Sequence, residues 1–72
     1  MKEYKYVSLP SVIVVKKVGD KDVIENYFNV INQESVDGWE FVGVAPVTVL
    51  AKKGAGDKEN AFNTFIFARE KD

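Results

Sequence analysis

The chain of 72 residues contains no cysteine and no histidine. Without cysteine there is neither a disulfide nor a thiolate nucleophile, and without histidine the commonest general base and metal ligand are missing. Leucine is nearly absent too: 12 Val and 4 Ile stand against only 2 Leu. β-branched side chains suit strands better than helices, so this imbalance predicts sheet with little helix. No sign of charge prevails, since nine Lys and one Arg oppose eleven acids for a net charge of −1. Such a balance supplies no strong field toward nucleic acid, an anionic membrane or a cationic partner. Long hydrophobic runs are also lacking. The longest, Phe41 to Ala51, is interrupted by Gly43, Pro46 and Thr48 and falls well short of the ~20 residues that span a bilayer. The charged start, Met1 to Tyr6, has no apolar stretch behind it, so the expectation is a cytoplasmic protein without a signal peptide.

What remains can still form a core. Val, Ile, Leu and Phe together make 23 of the 72 residues, above the level of disordered chains. One domain over residues 1–72 is expected. Domains of this size bury only about 60% of their unfolded surface, so stability is modest unless subunits bury more of it.

Glu3 to Leu9 reads as a strand, with Tyr4, Tyr6 and Ser8 on one face and Lys5, Val7 and Leu9 on the other. Pro10 interrupts it. Val12 to Val15 resume in extended form, either as a continuation past a kink or as a short edge strand. Gly19-Asp20 marks a turn. A helix follows, opened by a capping box of Asp22 and Glu25 and carrying an apolar stripe of Val23, Ile24, Tyr27, Phe28, Val30 and Ile31. It contains no Ala and no Leu, so packing must hold it. It ends around Glu34 to Val36, and Gly38 lets the backbone leave through a left-handed conformation. Trp39 to Ala45 form the next strand, Pro46 bends or bulges it, and Val47 to Ala51 continue it. Gly54 to Asn60 read as a polar loop and Ala61 to Arg69 as the last strand. The expected fold is α+β: a β-α-β-β domain with a mainly antiparallel sheet and one helix on one face.

Tyr4-Lys5-Tyr6-Val7, Ile31-Asn32 at the helix end, Gly38-Trp39-Glu40-Phe41-Val42 and a closing strand rich in phenylalanine carry a resemblance across almost the whole chain. The pattern resembles a short bacterial and phage family, domain of unknown function 4177. The resemblance implies the same β-α-β-β fold and no assigned activity. The chain departs from the family pattern at Glu34 and Ser35, where Leu and Gly are usual, and in the apolar stretch Val12 to Val15.

Candidate chemistry is sparse. Asp20, Asp22 and Glu25 lie within one turn and could hold a hard cation, but helix capping and dipole compensation account for them. Asp57 and Glu59 lack the alternating oxygens of a calcium loop. Gly54-Ala55-Gly56-Asp57-Lys58 has neither the glycine spacing nor the following helix of a phosphate loop. No catalytic residue, cofactor or metal is assigned, and the chain is not expected to be an enzyme. Tyr4-Lys5-Tyr6 and Phe65 to Arg69 set rings beside cations, as in some strand platforms that stack bases. The acidic balance and the single Arg oppose that reading.

The last strand is apolar on both faces, with Phe62, Ile66 and Ala68 on one and Phe65 and Phe67 on the other. One helix covers one face, and an uncovered apolar face marks an interaction site. The expectation is therefore a binding module that acts as a homo-oligomer, in the simplest case a dimer. Phe65 or Phe67 is expected in the contact. A ligand-sequestering or sensing protein, with a pocket between subunits lined by Tyr4, Tyr6, Tyr27 and Trp39, is the alternative. A weak single-stranded nucleic-acid binder is the third.

Overall fold

The computed structural model describes residues 1–16, 21–53 and 56–71. The elements follow in the expected order: strand β1 (Lys2–Pro10), helices α1 (Lys21–Phe28) and α2 (Val30–Glu34), and strands β2 (Glu40–Lys53) and β3 (Gly56–Glu70). The two helical pieces act as one helix. Only Asn29 separates them, still in the right-handed region at φ −63 and ψ −16, and the turn tightens through Asn29 N donating to Asn26 O at 3.3 Å.

β3, the last strand, lies in the middle of the three-stranded sheet, in the order β1-β3-β2. Both neighbours run antiparallel to it, with Tyr6 opposite Ile66 on one side and Gly43 opposite Ile66 on the other. β1 accompanies β3 only from Phe62 to Glu70. Beyond that, β2 and β3 continue as a two-stranded arm that runs out to Lys53 opposite Gly56.

Several local expectations are corrected. Val12 to Val15 are neither a continuation of β1 nor a separate strand. Ser11 N donates to Ala61 O at 3.0 Å, after which the chain leaves the sheet and exposes all four side chains. Pro10, which lacks an N–H, ends the edge strand. Pro46 makes no bulge in β2, which as an edge strand carries a proline without losing a central ladder bond. The irregularity falls earlier, between Phe41 and Gly43. Gly56 to Asn60 belong to β3 and not to a loop, because β2 supplies their pairing. Asp22 lies inside the first turn of α1, not at its cap, and there it faces the positive end of the helix dipole. The Gly19-Asp20 turn, Gly54-Ala55 and the terminal Asp72 lie outside the described residues.

The helix exit follows expectation at Gly38, whose φ is +86, and Asp37 before it is also left-handed at φ 56. Trp39 N donates to Val36 O at 3.0 Å, which closes the turn around these two residues. An Asp-Gly pair with two positive φ values matches what a mirror-image turn requires. Ser35 ends α2 by donating both its N–H and its hydroxyl to Ile31 O.

The core sits between the helix and the β1–β3 half of the sheet. Phe65 and Phe67 are fully buried and Val30 nearly so, with Val7, Leu9, Tyr27, Ile31 and Trp39 packed around them. Strand alternation places Lys5, Val7, Leu9, Phe65 and Phe67 on this covered face. An α-helix is about 10–12 Å across, whereas three strands about 4.8 Å apart present a wider surface. One helix therefore covers about two strands, and β2 is left at its side.

Candidate functional site

The face turned away from the helix is built from alternate positions of all three strands. Across it run the rows Tyr6–Ile66–Gly43, Ser8–Thr64–Ala45 and Pro10–Phe62–Val47, with Tyr4 beside Ala68 at one end and Val49 beside Asn60 toward the arm. No charged residue lies within those rows. Charges stand at the two ends, at Lys2, Glu40 and Glu70 on one side and Lys58 on the other. The relief is uneven. β1 raises the rings of Tyr4 and Tyr6, 53% and 66% exposed, whereas β2 contributes only Gly43 and Ala45 at the middle rows. Ser8 and Thr64 hydroxyls hydrogen-bond each other at 2.8 Å across β1 and β3.

Gly43 stands at the irregularity in the β2–β3 register. Its φ lies outside the left-handed range, and a Cβ built on it meets no atom within 4 Å. Glycine in a strand interior weakens the strand and often marks a bulge or a close approach of a ligand or another backbone.

The candidate residues named from the sequence divide between the two faces. Tyr4 and Tyr6 stand on the open face. Tyr27 and Trp39 belong to the helix side, where Tyr27 OH donates to Pro10 O at 2.7 Å and accepts from Asn63 Nδ2 at 3.2 Å. These four side chains therefore do not line one pocket within a chain. Phe65 and Phe67 are corrected most plainly. They are 0% exposed beneath the helix, so neither lies on the uncovered face. Their register neighbours Phe62 and Ile66 do, because successive strand side chains point in opposite directions.

Alternation also separates the cations from the exposed rings. Lys5 lies on the helix side, with Nζ 3.0 Å from Glu34 Oε1, 3.2 Å from Glu34 O and 4.7 Å from the Trp39 ring centroid. Arg69 pairs with Glu3 through Nε and donates from Nη1 to Asp37 O at 3.2 Å. Its guanidinium carbon stands 4.4 Å from the same ring. Trp39 thus lies between two cations, each neutralised by an acid. At this end of the sheet an open depression of about 840 Å³ is lined by Lys2, Glu3, Asp37, Glu40, Arg69, Glu70 and Lys71, with Gly38 and Ala68. Its charges are mixed, and none of the six sequence candidates lines it. Among the described residues, no group of three or more acids could hold a metal ion, and no buried side-chain polar atom lacks a partner. No helix among them is long and apolar enough to cross a membrane.

The open-face residues that sequence reasoning passed over are Gly43, Ala45, Val47 and Ile66. A glycine inside an otherwise β-branched strand was the available signal.

The family model for the domain of unknown function DUF4177 matches residues 2–70. The chain belongs to this family. The match spans every element of the fold, from β1 to β3. Comparison with curated proteins and with solved structures found no match in either. Both departures from the family pattern at the helix end carry contacts: Glu34 pairs with Lys5, and the Ser35 hydroxyl caps Ile31 O.

Proposed function

We propose that this DUF4177 domain is a non-catalytic interaction module that works as a homo-oligomer through the open sheet face. Gly43 carries the reading: a glycine with ordinary φ and no described atom within 4 Å of a Cβ built on it, set among three rows without charge. A two-fold axis running along the strands sets β1 of one copy over β2 of the other. The raised ring of Tyr6 then meets the low ground at Gly43, Ser8 meets Ala45 and Tyr4 meets Glu40, and the same contacts repeat by symmetry. The neutral rows would form the buried centre and the charged ends the rim, the distribution expected of a protein interface.

A substitution at Gly43 tests this with opposite signs for two observables. Gly43→Val should strengthen the isolated strand, because Val has high β propensity and the space above is free. It should also block the partner's rings. The expected outcome is a folded protein whose mass by light scattering falls below that of the parent. An unchanged mass would remove the support that Gly43 gives.

The nucleic-acid reading loses its main feature, since Lys5 and Arg69 are turned away from Tyr4 and Tyr6 and engaged by Glu34 and Glu3. Lys2 stands on the same face as Tyr4 but opposite Glu70, so little phosphate attraction is left beside the rings.

A further inference from the structure

We infer that Val12 to Val15 form a strap that closes over the unpaired edge of β3 at Asp57 and Glu59 and lengthens β1 by four residues. In the structure the strap lies off the sheet, and the edge is its second position. Closure does not depend on the open-face contact.

Two hydrogen bonds fix which backbone groups of β3 turn toward β1. Ser11 N donates to Ala61 O at 3.0 Å, and Lys71 N donates to Met1 O at 2.8 Å. Both pairs continue the β1–β3 register at its two ends, and in an antiparallel ladder bonded pairs alternate with unbonded ones. Odd-numbered residues of β3 therefore bond toward β1 and even-numbered ones toward β2. Asp57 and Glu59 are odd, so their N–H and C=O groups point to the side where β1 has ended. Among the described residues, no backbone bond reaches them from that side. The same parity turns Pro10 and Pro46 away from β3, onto the outer edges of β1 and β2. A proline blunts an edge toward strand addition, and the Asp57–Glu59 edge has none.

The occupant is fixed by the chain itself. Ser11 is already bonded at the end of this edge. Continuing the register sets Val12 opposite Asn60, Ile13 opposite Glu59, Val14 opposite Lys58 and Val15 opposite Asp57. Exposure already alternates along the segment, at 75%, 41%, 93% and 40% from Val12 to Val15. That is the period of a strand, and its phase agrees with the register. Ile13 and Val15 fall on the helix side with Leu9, and Val12 and Val14 on the open side with Pro10. All four side chains are β-branched and lose little rotamer freedom in a strand. Closed, the strap carries the open face outward by two valines, so a partner that touches them there shifts the equilibrium toward closure.

The test is amide hydrogen exchange by NMR for the parent, Ile13→Pro and Val14→Pro, at two protein concentrations. In the closed strap Ile13 bonds to Glu59, whereas Val14 turns to the outer edge. A proline therefore breaks the closure at one position and is accommodated at the next. Glu59 N–H is expected to be protected in the parent and in Val14→Pro, and to exchange at least about tenfold faster in Ile13→Pro. The Asn60 amide, which faces β2, should stay protected in all three and report an intact arm. A cysteine-free chain adds a covalent readout. Opposite residues of an unbonded pair stand about 4.5 Å apart at Cα, within the reach of a disulfide. Mild oxidation of Val14→Cys/Lys58→Cys should therefore link each chain to itself. An unprotected Glu59 amide in the parent, or equal exchange in the two proline variants, overturns the inference. Protection lost on dilution, or a disulfide between chains, also overturns it and makes a second copy the occupant.

Discussion

The Arg69 guanidinium carbon stands 4.4 Å from the centroid of the Trp39 ring, and Lys5 Nζ stands 4.7 Å from the same centroid. Both cations belong to the sheet, on β3 and β1, while Trp39 follows the helix exit. The ring therefore joins the start of β2 to the other two strands. Trp39→Ala should cost about 3 kcal/mol, the lower part of the range for large aromatics, because Trp39 is only partly buried. Urea unfolding followed by circular dichroism checks this, and a variant as stable as the parent would show that the ring is not a structural link.

Gly38 and Asp37 should respond in opposite directions. Gly38→Ala places a Cβ at φ +86 with no atom within 4 Å to meet it, so its cost is purely conformational. About 1 kcal/mol is expected. Asp37→Gly relieves a left-handed non-glycine residue and keeps the carbonyl that accepts from Arg69, so stability should hold or rise slightly. Thermal melts of the two variants decide the point, and a Gly38→Ala protein as stable as the parent would contradict the strain argument.

Tyr27 ties three elements through one hydroxyl. Tyr27→Phe keeps the ring against Phe65 but deletes the bonds to Pro10 O and Asn63 Nδ2. A loss of about 1 kcal/mol is expected. Faster amide exchange should appear in α1 and at Ser11, whose N–H bonds to Ala61 O beside that junction. Exchange confined to the site of substitution would mean that the hydroxyl does not hold the helix in place.

Phe67 and Ile66 are sequence neighbours with different fates. Phe67→Ala empties a fully buried site and should cost about 3–5 kcal/mol, a large part of what a small domain has. Ile66→Thr on the open face should leave the monomer close to parental stability and weaken self-association instead. Denaturant midpoints at two protein concentrations distinguish the effects: the Phe67 loss should persist at both, and the Ile66 loss should vanish on dilution.

The order of elements, the left-handed exit at Gly38 and the two-faced alternation of each strand were legible in the sequence, because all three are local. Periodicity, a positive φ and a short-range cap depend on residues within a few positions of one another. Which face the helix would cover was not local. Phe65 and Phe67 on one side of β3, and Phe62 and Ile66 on the other, are similarly apolar, so β3 alone gives no preference. Contacts between distant elements decided it: Val30 and Tyr27 packing on Phe65, Lys5 reaching Glu34, and Arg69 and Lys5 flanking Trp39. The same is true of Val12 to Val15, which have strand composition yet lie outside the sheet. A strand needs a neighbour with free backbone groups, and only the assembled sheet determines where such a neighbour is.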